Sequence, residues 1–92
     1  MSADRSAIEA TILALCAARG PAKSLCPSEV ARALAGADET LWRPLMQPVR
    51  ATALALARAG RVEILRKGRV HDPAVPPKGV IRLRIVPSPG PQ

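Results

Sequence analysis

Ile8, Ile12, Leu15, Cys16 and Arg19 recur at helical spacing near the start of the chain. Residues three and four apart share one face of a helix, so this pattern predicts an amphipathic helix over residues 4–19 with a buried stripe from Ile8 to Cys16. Asp4 is its expected N-cap and Gly20-Pro21 its stop. A second, shorter helix is expected from Pro27, which suits a first helical position because the missing N–H has no partner there anyway. Glu29 then stands at the third position, able to reach back to the Cys26 backbone as half of a capping box. Val30 and Leu34 face inward, and Gly36 stops the helix. Asp38-Glu39-Thr40 opens the next element with an acidic cap and early negative charge.

That third helix sorts its residues into two faces. Trp42, Leu45, Val49, Thr52, Ala53 and Leu56 form a core stripe. Arg43, Gln47, Arg50, Leu54, Arg58 and Arg61 form a row of long side chains on the expected exposed side. Pro44 and Pro48 complicate the start. Either the helix begins near Arg43 with Pro44 in its first turn, or an irregular turn precedes it. Pro48 is expected inside the helix, bending or loosening it. Gly60 ends it.

Beyond Gly60 the period changes from 3.6 to 2. Val62 and Ile64 alternate with Arg61, Glu63 and Leu65, and Ile81, Leu83 and Ile85 alternate with Arg82 and Arg84. Two strands follow, over residues 62–66 and 80–85, each with one apolar and one mostly polar face. Lys67-Gly68 is a turn signal, a short strand at 69–71 is compatible with it, and residues 24–26 could supply an edge strand. Two helices followed by a basic hairpin predict an α+β winged helix-turn-helix, with three helices packed on a two- or three-stranded antiparallel sheet. Residues 1–86 make the domain and 87–92 a disordered Pro-rich tail.

Composition narrows this picture. The chain has 92 residues, 48% of them hydrophobic, but seventeen are Ala and Trp42 is the only aromatic. One small domain with a thin aliphatic core follows. No stretch approaches the ~18 consecutive apolar residues of a membrane span, and the start lacks a secretory pattern, so a cytoplasmic protein with no membrane partner is expected. Cys16 reads as a small core residue and Cys26 as a turn residue, with a Cys16–Cys26 disulfide as the alternative. His71 is the only histidine and there is no Cys-x-x-Cys, so neither a metal site nor a cofactor is expected.

Charge then points to a partner. The net charge is +7. Residues 1–57 hold six basic and five acidic groups, a net of +1, while residues 58–92 hold eight basic groups against Glu63 and Asp72, a net of +6. An excess confined to one end suits an anionic surface. In the winged-helix geometry the third helix meets the major groove and the wing the backbone. Arg43, Gln47 and Arg50 would meet base edges or phosphates, joined along that face by Arg58 and Arg61. Arg66, Lys67, Arg69, Lys78, Arg82 and Arg84 would meet phosphates of double-stranded DNA. The competing reading is a solvated basic face, with Arg50 paired to Glu29 and Arg43 to Glu39. A further alternative is a protein-binding adaptor with an acidic partner, marked by an apolar patch at Leu54 and Leu65. RNA or single-strand binding fits less well, because no exposed aromatic residue offers a stacking surface. No nucleophile arrangement or phosphate-binding glycine motif is present, so no catalysis is expected. With no helix to spare for dimerisation, a monomer or weak homodimer is expected.

Cys26-Pro27-Ser28-Glu29-Val30-Ala31-Arg32, Trp42-Arg43-x-Leu45-Met46-x-x-Val49-Arg50-x-x-Ala53, Arg66-Lys67-Gly68 and Ile81-Arg82-Leu83 together resemble a small bacterial family, domain of unknown function 3253. The resemblance runs from Ile8 to Arg84. It implies a winged-helix fold with no assigned activity and transfers no catalytic or binding residues. Pro44 and Pro48 fall at variable positions of its pattern.

Overall fold

A computed structural model of the chain describes residues 4–87. Helix α1 (Arg5–Arg19) begins where Asp4 Oδ1 accepts the Ala7 N–H at 2.8 Å. That bond satisfies one of the amides a helix start leaves unpaired. Ile8, Ile12 and Cys16 are its buried residues, matching the periodic stripe. Helix α2 (Pro27–Ala35) is held at its start by Glu29. One carboxylate oxygen accepts the Cys26 N–H at 2.8 Å and the other accepts Arg19 Nη2 at 2.6 Å. Glu29 therefore ties α1 to α2. The Arg50–Glu29 pair of the competing reading does not form; Arg19, at the end of α1, holds that carboxylate.

The segment with two prolines resolves into three parts. A single turn α3 (Glu39–Trp42) is capped by Asp38, whose Oδ1 accepts the Thr40 N–H at 3.0 Å. A 3₁₀ turn follows (Arg43–Leu45), and helix α4 (Met46–Arg58) completes it. Pro44 sits within the 3₁₀ turn. Pro48 is the third residue of α4, not an interior one, so its missing N–H falls among the first four amides, which have no partner inside the helix. The irregular first turn absorbs both prolines, and the expectation of an interior Pro48 is corrected accordingly.

Strands β1 (Val62–Arg66), β2 (Arg69–Val70) and β3 (Arg82–Ile85) form an antiparallel sheet in the order β2-β1-β3. Ile64 lies opposite Leu83, Glu63 opposite Arg84 and Leu65 opposite Arg82. The last strand starts two residues later than its sequence pattern suggests. Ile81 is buried, but Val80 is 84% exposed and outside the ladder. The edge strand expected at residues 24–26 reduces to one bridge: Leu25 and Leu83 exchange both backbone bonds at 2.8 Å.

The core lies between the helices and one sheet face. Ile12, Leu25, Val30, Val49, Ala53 and Leu83 are fully buried there. Trp42 closes one end at 9% exposure, with the Arg32 guanidinium 4.8 Å from its ring centre. The contacts are aliphatic and depend on close packing of small side chains. Three main helices and a three-stranded antiparallel sheet make an α+β fold, as the sequence predicts, and their order is compatible with a winged helix. Among the described residues no helix is long and apolar enough to cross a membrane. The tail expected at 87–92 lies, past Pro87, outside the described residues.

Candidate nucleic-acid interface

The hairpin joining β1 to β2 is as tight as an antiparallel pair allows. Arg66 lies opposite Arg69, leaving Lys67 and Gly68 as a two-residue turn. Both have positive φ, 54° at Lys67 and 79° at Gly68. Two consecutive left-handed residues are the signature of a type I′ turn, whose twist matches that of paired strands. Gly68 adopts this backbone freely, whereas an L-residue such as Lys67 is disfavoured in it by about 1 kcal/mol or more. Asn or Gly is the low-cost residue at that position. Lys67 is the one non-glycine with positive φ among the described residues.

Arg66, Lys67 and Arg69 line one shallow groove at this tip, together with Val70 and His71. All three cations are exposed, and none takes part in an ion pair among the described residues. Lys78 and Gly79 approach from the following loop. Arg66 Nη2 lies 3.8 Å from where a Gly79 Cβ would stand. The tip thus gathers three cations, Arg66, Lys67 and Arg69, outside any ion pair among the described residues, and Lys78 is exposed beside Gly79 in the loop that follows.

The remaining expected contact residues are placed differently. Arg84 Nε and Nη2 reach Glu63 Oε1 at 3.0 and 2.7 Å across the strand pair, so its charge is matched within the sheet. Arg82 donates to Ser24 Oγ at 2.7 Å and to the Ser24 carbonyl at 3.0 Å, pinning the segment before Leu25 to β3. Arg43 pairs with Glu39 one turn earlier, as foreseen, through Nε at 2.7 Å, and its guanidinium also lies 5.6 Å from the Trp42 ring centre. Gln47 is exposed on the first turn of α4. Arg61 is exposed before β1, at the opposite end of that strand from the tip.

Arg50 and Arg58 depart most from the sequence reading. Both donate to the loop between β2 and β3, although Arg58 and Gln47 on that face remain exposed. Arg50 Nη1 and Nη2 donate to the carbonyls of Gly79 at 2.8 Å and Pro77 at 3.1 Å. Arg58 Nε donates to the Pro73 carbonyl at 2.9 Å. The loop between β2 and β3 lies along α4 and is shaped by its own bonds. His71 continues the ladder through its N–H to Ile64 O at 2.7 Å, Asp72 Oδ1 accepts the Ala74 N–H at 2.9 Å, and His71 Nε2 lies 2.7 Å from Val75 O. Leu54 is half-buried against the core and Leu65 is half-buried in a groove beside Val80.

Three groups titrate away from their ordinary values. The Arg19 guanidinium, followed by the Cys26 N–H, holds the Glu29 carboxyl below the usual range. The Thr40 hydroxyl, then its N–H, lowers Asp38. Burial pushes the Cys16 thiol up to about 11, keeping it neutral. Both cysteines are free, so the disulfide alternative is not realised.

Fold and surface together define a small α+β domain with three exposed cations outside any ion pair side by side at one hairpin tip. The sequence profile of the family described as Protein of unknown function (DUF3253) matches residues 5–86, and the chain belongs to that family. A search of curated proteins returned no match.

Proposed function

We propose that the protein binds double-stranded DNA through the sugar-phosphate backbone, with the β1–β2 hairpin as its main contact and little reading of bases. The observation that carries this is the tip itself. Three cations line it outside any ion pair among the described residues, with Lys78 exposed beside Gly79 in the adjoining loop, and one of the three, Lys67, holds a backbone conformation that Asn or Gly would adopt at lower cost. A strained residue maintained at an exposed tip is a pointer to a role there. Arg84 and Arg43 contribute less than their sequence positions suggest, since Glu63 and Glu39 already neutralise them.

Each phosphate neutralised releases condensed counterions, so the logarithm of the binding constant falls by about 0.9 per contact for each decade of salt. The three tip cations and Lys78 give a slope of about −3.5 or steeper. Fluorescence anisotropy with a labelled duplex between ~50 and ~200 mM salt measures it, and unrelated duplexes of equal length should bind within a few-fold of one another. Absence of binding at ~50 mM salt, where the electrostatic contribution alone should be detectable, sinks the proposal. Recovery of one acidic protein and no nucleic acid would favour the adaptor reading instead. No catalytic step and no cofactor form part of this proposal.

A further inference from the structure

The loop of residues 71–81 lies against α4 at Arg50 and Arg58. Arg50 and Arg58 stand eight residues apart on α4, about 12 Å along its axis. Both direct guanidinium N–H groups at the loop, and three of its carbonyl oxygens, on Pro73, Pro77 and Gly79, accept them at 2.8–3.1 Å. Neither arginine has a carboxylate partner among the described residues. Their acceptors are neutral. A phosphate oxygen is a charged acceptor that adds Coulomb attraction, and phosphate also suits the planar guanidinium fork bidentately, neither of which a single neutral carbonyl supplies. Pro73, Pro76 and Pro77 also stiffen the loop, so little chain entropy is spent in holding it in place.

We propose that residues 71–81 are a strap whose backbone carbonyls stand in for phosphate oxygens on Arg50 and Arg58, and that a nucleic-acid backbone displaces it. In the free protein both guanidinium groups are then held by the strap, while the hairpin cations stand outside any ion pair. Docking of the tip delivers phosphates to α4, the strap lifts, and Arg50 and Arg58 add two contacts. The inference rests on the DNA binding proposed above and goes beyond it by assigning a masked second site.

Two measurements on the full chain with a duplex test it together. The first is the salt slope. Tip contacts alone give about −3.5, and two further arginines bring it to about −5.5. The double variant Arg50→Gln, Arg58→Gln, with its fold checked by circular dichroism, should return the slope to about −3.5. The second is the backbone order parameter of residues 74–80 by NMR relaxation, which should fall when the duplex is added. A slope that the double variant leaves unchanged overturns the phosphate role of the two arginines. A loop that keeps its order in the complex overturns the strap, whatever the slope. Both outcomes leave tip binding intact, whereas no binding at ~50 mM salt overturns the strap and the DNA reading together.

Discussion

Replacing Lys67 by Asn should make the protein more stable and a poorer DNA binder. Lys67 is the first central residue of a type I′ turn with φ at 54°, and Gly68 follows at 79°. Asn is several-fold enriched over other non-glycine residues in this backbone region. A several-fold preference corresponds to about 0.5–1 kcal/mol, which is the expected gain in stability. For a domain of this size that is a rise in Tm of about 2–8 °C. Urea denaturation followed by the fluorescence of Trp42, the only aromatic residue, measures it directly. The same substitution removes one phosphate contact, so the salt slope should become shallower by about 0.9. Between 50 and 200 mM salt, the wild type should therefore lose about 3.5-fold more affinity than the variant. As a control, Arg61→Gln removes one charge at the far end of β1 and should leave the slope unchanged. The reasoning is refuted if Lys67→Asn destabilises the fold, or if it stabilises the fold while leaving affinity and slope as they were.

Three further outcomes follow from the same structure. Pro48→Ala should alter stability by less than about 1 kcal/mol in urea titration, because residue 48 lies in the first turn of α4; a gain near ~3 kcal/mol would put the proline in the helix interior. Because Glu29 has a lowered pKa in the folded state, its contribution is present above its unfolded value and is lost as pH falls through the lower folded one. Glu29→Gln should therefore cost about 1 kcal/mol at pH 7 and nearly nothing well below pH 4, read from paired urea titrations at the two pH values. Iodoacetamide at about pH 8 should label the half-buried Cys26 of the native protein and spare Cys16, whose buried thiol is held neutral, with mass spectrometry locating the adduct.

The fold was largely legible because its signals are local. The stripe from Ile8 to Cys16, the Asp4 and Asp38 caps and the alternation in β1 and β3 each depend on neighbours within a few residues. The edge contact at Leu25 was legible as a tendency only, since a single bridge to Leu83 leaves little mark on composition. The late start of β3 was hidden because Val80 continues an apolar run although the chain has not yet entered the ladder. The two prolines were ambiguous for a definite reason. Residue spacing states that an N–H is missing, and only the break into α3, a 3₁₀ turn and α4 shows that none was needed.

The interface was less legible because charge is local and charge pairing is not. Arg82 finds Ser24 across 58 residues, and Arg50 finds Gly79 across 29. No window along the sequence separates these from the unmatched cations at Arg66, Lys67 and Arg69. Lys67-Gly68 was legible as a turn, but the positive φ at Lys67 was not, because the usual type I′ signature is Asn-Gly or Asp-Gly and a lysine does not announce that backbone. The strap left its own trace in the prolines of residues 73–77, whose carbonyls need donors and whose nitrogens supply none.

Where a duplex touches the protein is the most direct test of binding through the hairpin tip. Amide chemical-shift mapping at ~50 mM salt, repeated at ~200 mM, reports this residue by residue. Binding through the tip predicts large shifts at residues 66–69, joined by residues 74–80 as the strap lifts, all shrinking together as salt rises. Shifts confined to α1 and α2, or no shifts at the lower salt, would contradict it.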